Sequence, residues 1–154
     1  MKSTKTFTPN DYYSASLLRL EDLNQLKSNQ RSIIFSLYCA GVAVECMLRA
    51  YITKYTAEFD SKHNLEKLFE KSLLGRYVDP ENKEEIVAAV KKANKIWTND
   101  LRYTSDKRLK RIIAHEMVKT NFKDINKYVD KYYSDFFDAA DLIIQTGKSK
   151  WHKI

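Results

Sequence analysis

From Tyr13 the apolar residues return every three or four positions, at Leu17, Leu20, Leu23 and Leu26, with polar residues filling most of the gaps. That spacing predicts an amphipathic helix. Its start is legible in Thr8, Pro9 and Asp11: a capping hydroxyl, a proline at the first helical position and an acid placed to close a capping box. The pattern carries this helix to about Asn29. A second helix, from about Arg31 to Tyr55, is apolar on most faces and is expected to be the central one. Gly41 inside it costs on the order of 1 kcal/mol relative to alanine, so close approach of a neighbouring helix is expected there.

Beyond the polar stretch Glu58–Asn64, the residues Leu65, Leu68 and Phe69 mark a short helix with Asn64 before it, and Gly75 is expected to stop it. Asp79 and Pro80 then read as cap and first residue of a fourth helix, with Ile86, Val90, Ala93 and Trp97 on its inner stripe. The pattern resumes at Ser105, with Leu109, Ile112, Ile113 and Met117 on one face. A last long helix runs from about Lys123 to Gln145 and is expected to bury Ile125, Val129, Tyr132, Phe136, Ala140 and Ile143. Gly147 is expected to end it, leaving 147–154 as a frayed tail. No strand alternation or internal repeat is visible, and short joins favour antiparallel neighbours. The expected fold class is all-α: an up-and-down four-helix bundle with one additional short helix, one domain over 1–154 with its core at about 9–146.

Composition agrees with this, since three glycines and two prolines are too few for a turn-rich β fold. Cys39 and Cys46 lie about two helical turns apart, roughly 10 Å, too far to bridge. They read as buried free thiols in a reducing compartment. No histidine cluster accompanies them, so no metal or other cofactor is expected. The first residues lack the apolar core of a signal peptide, and the longest apolar run, Ile33–Val44, is short for a bilayer span. The expected location is the cytoplasm, with no membrane partner.

Charge changes the picture. Between Arg102 and Lys123 seven basic residues face only Asp106 and Glu116, so this segment holds most of the chain's formal +7. A local cationic excess is what phosphate binding needs, although charge runs are also common as solvated outer faces. Arg102, Tyr103, Lys107, Arg108, Lys110 and Arg111 are the candidate nucleic-acid or nucleotide contacts, and Tyr103 and Phe122 offer rings for base stacking. His115 sits in the same segment. A histidine near arginines can act as general base while a guanidinium steadies phosphate charge. Glu45 and Arg49, four apart inside the apolar helix, form a favourable intrahelical pair. They read either as a satisfied structural pair or, with His63, as part of a polar cleft.

Three segments in order, Leu37–Ile52 ("LYCAGVAVECMLRAYI"), His63–Phe69 ("HNLEKLF") and Ile96–Thr104 ("IWTNDLRYT"), resemble the HEPN superfamily. One branch of it carries an A-V-E-C motif on a buried helix, H-[DN]-L opening a short helix, and W-x-x-x-L-R-Y at the end of a fourth. Here these are Ala43–Cys46, His63–Leu65 and Trp97 with Leu101–Tyr103, and Arg49 stands where the branch often has lysine. The resemblance covers about Asp11 to Ile144. It implies a four- or five-helix bundle, commonly dimeric, that binds RNA or nucleotides or pairs with a small nucleotidyltransferase in toxin–antitoxin modules. Active members are metal-independent endoribonucleases with an R-x(4–6)-H motif. Arg108 and His115, with six residues between them, stand at its outer limit, and Leu109 occupies the place where a polar residue often follows the arginine. The leading expectation is therefore a binding or interaction domain. The alternatives are an endoribonuclease using Arg108 and His115, and an adaptor that binds protein only.

Overall fold

The computed structural model describes residues 7–29, 33–56 and 61–154. The expected start of the second helix at Arg31, residues Glu58–Asp60 of the expected loop and the first six residues lie outside them. Every regular element among the described residues is helical: α1 (Pro9–Asn29), α2 (Ile33–Tyr55), α3 (Leu65–Ser72), α4 (Lys83–Ile96), α5 (Asp106–Met117) and α6 (Ile125–Lys150), with short 3-10 turns between and after them.

The helix starts form where the side chains dictate. Thr8 Oγ1 accepts from the Asp11 amide while Asp11 Oδ2 accepts from the Thr8 amide, closing the capping box. Asn64 Oδ1 accepts from the Lys67 amide, Ser105 Oγ from the Arg108 amide and Asp124 Oδ1 from the Asn126 and Lys127 amides. Asp79 makes no such bond; a 3-10 turn over Pro80–Asn82 leads into α4 instead.

α2 is the hub. It packs against α1, α3 and α6, while α4 lies on α6 and α3, and α5 on α6. Leu37, Val44, Met47, Leu48 and Tyr51 of α2 are sealed from solvent together with Ile86, Val90 and Ala93 of α4 and Phe136, Ala140, Ile143 and Ile144 of α6. Polar bonds pin the helices at defined depths: Ser16 Oγ donates to the Ala43 carbonyl at 2.6 Å, and Tyr51 Oη donates to the Gly147 carbonyl at 2.6 Å. The full α2 is longer than its apolar run, and by length and composition it could cross a membrane. Instead, 67% of its most apolar window is buried inside the domain, so other helices cover the surface that lipid would otherwise take.

Several expectations are corrected. Leu73, not Gly75, turns the chain out of α3, adopting the left-handed conformation at φ 57°. Ile112 and Ile125 face solvent rather than the core, and Tyr132 is half-buried. Gly147 does not end the last helix, which continues to Lys150. A Cβ at Gly147 would meet the Met47 side chain at 2.5 Å, so the missing side chain lets α6 close onto α2. The tail is docked, not frayed. Trp151 is 5% exposed, its ring stacks on Tyr13 at 4.6 Å between centroids and meets Tyr51 edge-on, and Lys54 lies over it. Trp151 thus belongs to the hydrophobic core, as a large ring buried on both faces would, and the core extends past residue 146.

Candidate functional site

Two polar features stand out, one buried and one on the surface. The buried one centres on Glu45. Arg49, one turn further along α2, donates from Nε and Nη2 to Glu45 Oε1, both at 2.9 Å. His63 Nδ1 lies 3.0 and 2.9 Å from the two carboxylate oxygens, and Trp97 Nε1 donates to Oε2 at 3.3 Å. Glu45 and Arg49 are only 8% and 7% exposed. Charges held that far from water persist only when partnered, and here both oxygens are engaged. Arg49 also donates to the Lys62 carbonyl at 3.0 Å, which holds the residue before His63 in place.

Each partner arrives for a local reason. The four-residue spacing puts Glu45 and Arg49 on one face of α2. His63 precedes the capped start of α3, and α3 is in turn tied to α4, because Asn94 accepts from the Leu65 amide and donates to Glu66. Trp97 is the residue that leaves α4, in extended conformation. Its ring lies against Gly41, one turn before Glu45, where any Cβ would fall 1.9 Å from an indole carbon. The close approach expected at Gly41 is thus made by an indole ring rather than a helix backbone. Trp97, read from the sequence only as an apolar stripe residue, is also a donor to the buried acid.

The chemistry open to this cluster is limited. The Glu45 carboxylate meets the His63 ring at Nδ1, so Nε2 lies outside this contact. A carboxylate behind Nδ1 is the arrangement that orients a general base. Arg49, however, is engaged with Glu45 and a backbone carbonyl. The neighbouring Cys46 is pushed the wrong way for a nucleophile, its thiol raised from 9.0 to about 11 by burial and then by the Glu45 charge. Half-buried Tyr12 of α1, close enough to feel Arg49, Cys46 and Glu45, is raised chiefly by burial. Arg49, Glu45 and His63 therefore read as a satisfied structural cluster joining α2, α3 and the end of α4.

The surface feature follows directly along the chain. Arg102 and Tyr103 lie exposed on the 3-10 turn Asn99–Tyr103, the guanidinium 5.3 Å from the Tyr103 ring centroid. On α5, Leu109 and Ile113 face the core, and Lys107, Arg108, Lys110 and Arg111 are all exposed. Lys107, Lys110 and Arg111 border a 530 Å³ hollow with Ala114 and Ile125 in its wall. A second hollow of 550 Å³ lies on the other side of Asp106, between Ile34, Phe35 and Tyr38 of α2 and Leu101 and Arg102. Phe35 and Tyr38 were not singled out from the sequence, because the apolar pattern of α2 does not say which of its residues border a surface hollow, and Asp106 was read only as a countercharge in the basic segment.

Arg108 and His115 are seven residues apart on α5, which places them on one face about two turns, or roughly 10 Å, from each other. Both are exposed. Among the described residues, no group of three or more histidine, cysteine, aspartate or glutamate side chains could hold a metal ion. The class defined so far is an all-α domain with a buried acid–base cluster and, separately, a cationic helix on its surface. Compared with protein-family models, curated proteins and solved structures, the chain finds no match.

Proposed function

We propose that this chain is a HEPN-like helical domain that binds RNA or a nucleotide through α5 and the turn before it. In this reading α1, α2, α4 and α6 form the up-and-down four-helix bundle, and α3 and α5 are additions to it. The observation that carries the binding role is the cationic surface of α5, where Lys107, Lys110 and Arg111 border one shallow, open depression with Asp106, Ala114 and Ile125. Cations gathered on one surface can neutralise adjacent phosphates and release their counterions together. The exposed Val118 and Phe122 beyond the end of α5 support a protein contact nearby, either a second copy of the chain or a nucleotidyltransferase-type partner. The setting would be cytoplasmic.

The test is binding to RNA without added metal, comparing the wild type with Arg108→Glu/Arg111→Glu across a salt series. Loss of affinity with a shallower salt dependence, by about one unit of slope per phosphate contact removed, is expected. Unchanged binding by the double variant refutes the interface.

A second reading, endoribonuclease activity, draws on Arg108 and His115 sharing one exposed face of α5. There His115 would move a proton at the 2′-hydroxyl while Arg108 steadies the phosphate. Cleavage retained by a folded His115→Ala protein removes it.

A further inference from the structure

We infer that the outer groove between α4 and α6 is a docking site for a second copy of this chain, which lays the outward stripe of its α5 into it. This commits the protein contact proposed near Val118 to a second copy, and it needs no nucleic acid.

The groove consists of two shallow hollows of 340 and 260 Å³ that share Glu85 and Leu142. α4 and α6 run antiparallel along it, since Asn82 shares one hollow with Ser149 and Lys92 shares the other with Asp135. At Ala88, Ala89 and Ala139 the floor carries only methyl groups, so a helix can approach closely there. The rim is acidic although the chain as a whole has a formal charge of +7. Asp135 is engaged by Lys131 at 2.7 Å and Asp79 by Lys150 at 3.7 Å. Glu85 and Asp138 are exposed and have no ion pair among the described residues.

α5 supplies the complement. Lys107, Arg111, Ala114 and Val118 recur at helical spacing on the side away from the buried Leu109 and Ile113. Val118 ends this stripe at 80% exposure. From Lys107 to Val118 the stripe measures about 16 Å, and α4 from Asn82 to Lys92 about 15 Å, so helix and groove agree in length. The charges agree in spacing. Lys107 and Arg111 are one turn apart, and Asp138 lies one turn before Leu142, which borders both hollows together with Glu85. In that register Ala114 and Val118 continue over the stretch floored by Ile86 and Val78. A symmetric contact of α5 with α5 would instead set like charges against each other, which costs several kcal/mol. One short helix in a groove falls below the roughly 1,200 Å² of stable complexes, so the contact is weak and concentration-dependent.

The mass of nucleic-acid-free protein in solution, from small-angle X-ray scattering over a dilution series up to about 1 mM, tests this, since a contact with a Kd of about 1 mM still registers there. The wild type is expected to self-associate. Lys107→Glu/Arg111→Glu and Glu85→Lys/Asp138→Lys should each weaken association on the order of ten- to a hundredfold, because each sets like charges against each other. All four residues are exposed, and helical circular dichroism checks that the variants are folded. An equimolar mixture of the two variants should associate again, since each then carries the complement of the other. A wild type that stays monomeric overturns the inference and leaves the groove to a foreign partner or to none. Association at wild-type strength in either variant overturns it too, because the copies then meet through another face. A mixture that stays monomeric, although the wild type associates, overturns the pairing of α5 with the groove. None of these outcomes bears on the nucleic-acid reading, which stands or falls on its own test.

Discussion

Replacing Glu45 by alanine exposes what the buried cluster contributes. The substitution takes the Glu45 carboxylate from Arg49, 7% exposed, and from Trp97, 3% exposed, while the Arg49 bond to the Lys62 carbonyl stays. Breaking a buried pair from one side costs about 3–5 kcal/mol. The partners Arg49 keeps, the Lys62 carbonyl among them, put it at the low end, about 3 kcal/mol, and the indole N–H that loses Glu45 adds about 1 kcal/mol. His63 adds little, because its side chain is 41% exposed and can turn to water. The expected loss is about 4 kcal/mol, or roughly 8–16 °C in Tm for a domain of this size. Chemical denaturation followed by helical circular dichroism reads it. Glu45→Met/Arg49→Met should be more stable than Glu45→Ala, since it removes the buried cation together with its acid and fills the space with apolar volume. A Glu45→Ala loss below about 1 kcal/mol, or a double variant no better than the single one, would refute the account of a buried, mutually dependent cluster.

Trp151→Ala should cost about 3–5 kcal/mol, as expected for emptying a buried aromatic site, because the ring is packed between Tyr13, Tyr51 and Lys54; an unfolding midpoint within error of wild type would mean that the tail does not contribute. The raised Cys46 thiol has a pH consequence. The folded protein keeps its proton up to about 11 while the unfolded chain releases it near 9.0, so this contribution to stability is fully present below about pH 9 and is lost as pH rises toward 11. Denaturation of wild type and Cys46→Ala at pH 8 and pH 10.5 should show a steeper alkaline loss in the wild type. Alkylation of folded Cys46 at pH 8 should be about a hundredfold slower than in the unfolded chain; equal rates would show that the thiol is not held neutral.

The surface and the core were legible in the sequence to different degrees. The charge excess of α5 is a property of composition, so Lys107, Arg108, Lys110 and Arg111 stand out from the order of residues alone. Whether those cations border a common depression depends on the placement of Ile125 and Ala114 beside them, and no local pattern states that. Glu45 and Arg49 were visible as a pair because four residues make one turn. Trp97 was not visible as a donor, since an indole fits an apolar stripe whether or not its N–H meets an acid.

The sequence by itself determined what depends on neighbours within a few residues: the caps at Thr8, Asn64 and Ser105, the amphipathic runs and the all-helical class. These are decided by hydrogen bonds and side-chain periods that span one or two turns. Only the tertiary structure decided what depends on distant contacts. The helix did not stop at Gly147, because Met47 takes the space its side chain would need and Tyr51 binds its carbonyl. The tail did not fray, because Tyr13 and Tyr51 provide Trp151 with a stack. His63 and Trp97 reached Glu45 because α3 and α4 are tied together and Gly41 leaves room for a ring. In each case a buried partner far along the chain outweighs the local preference, since the apolar area and polar bonds gained in the core are worth more than the propensity of a single residue.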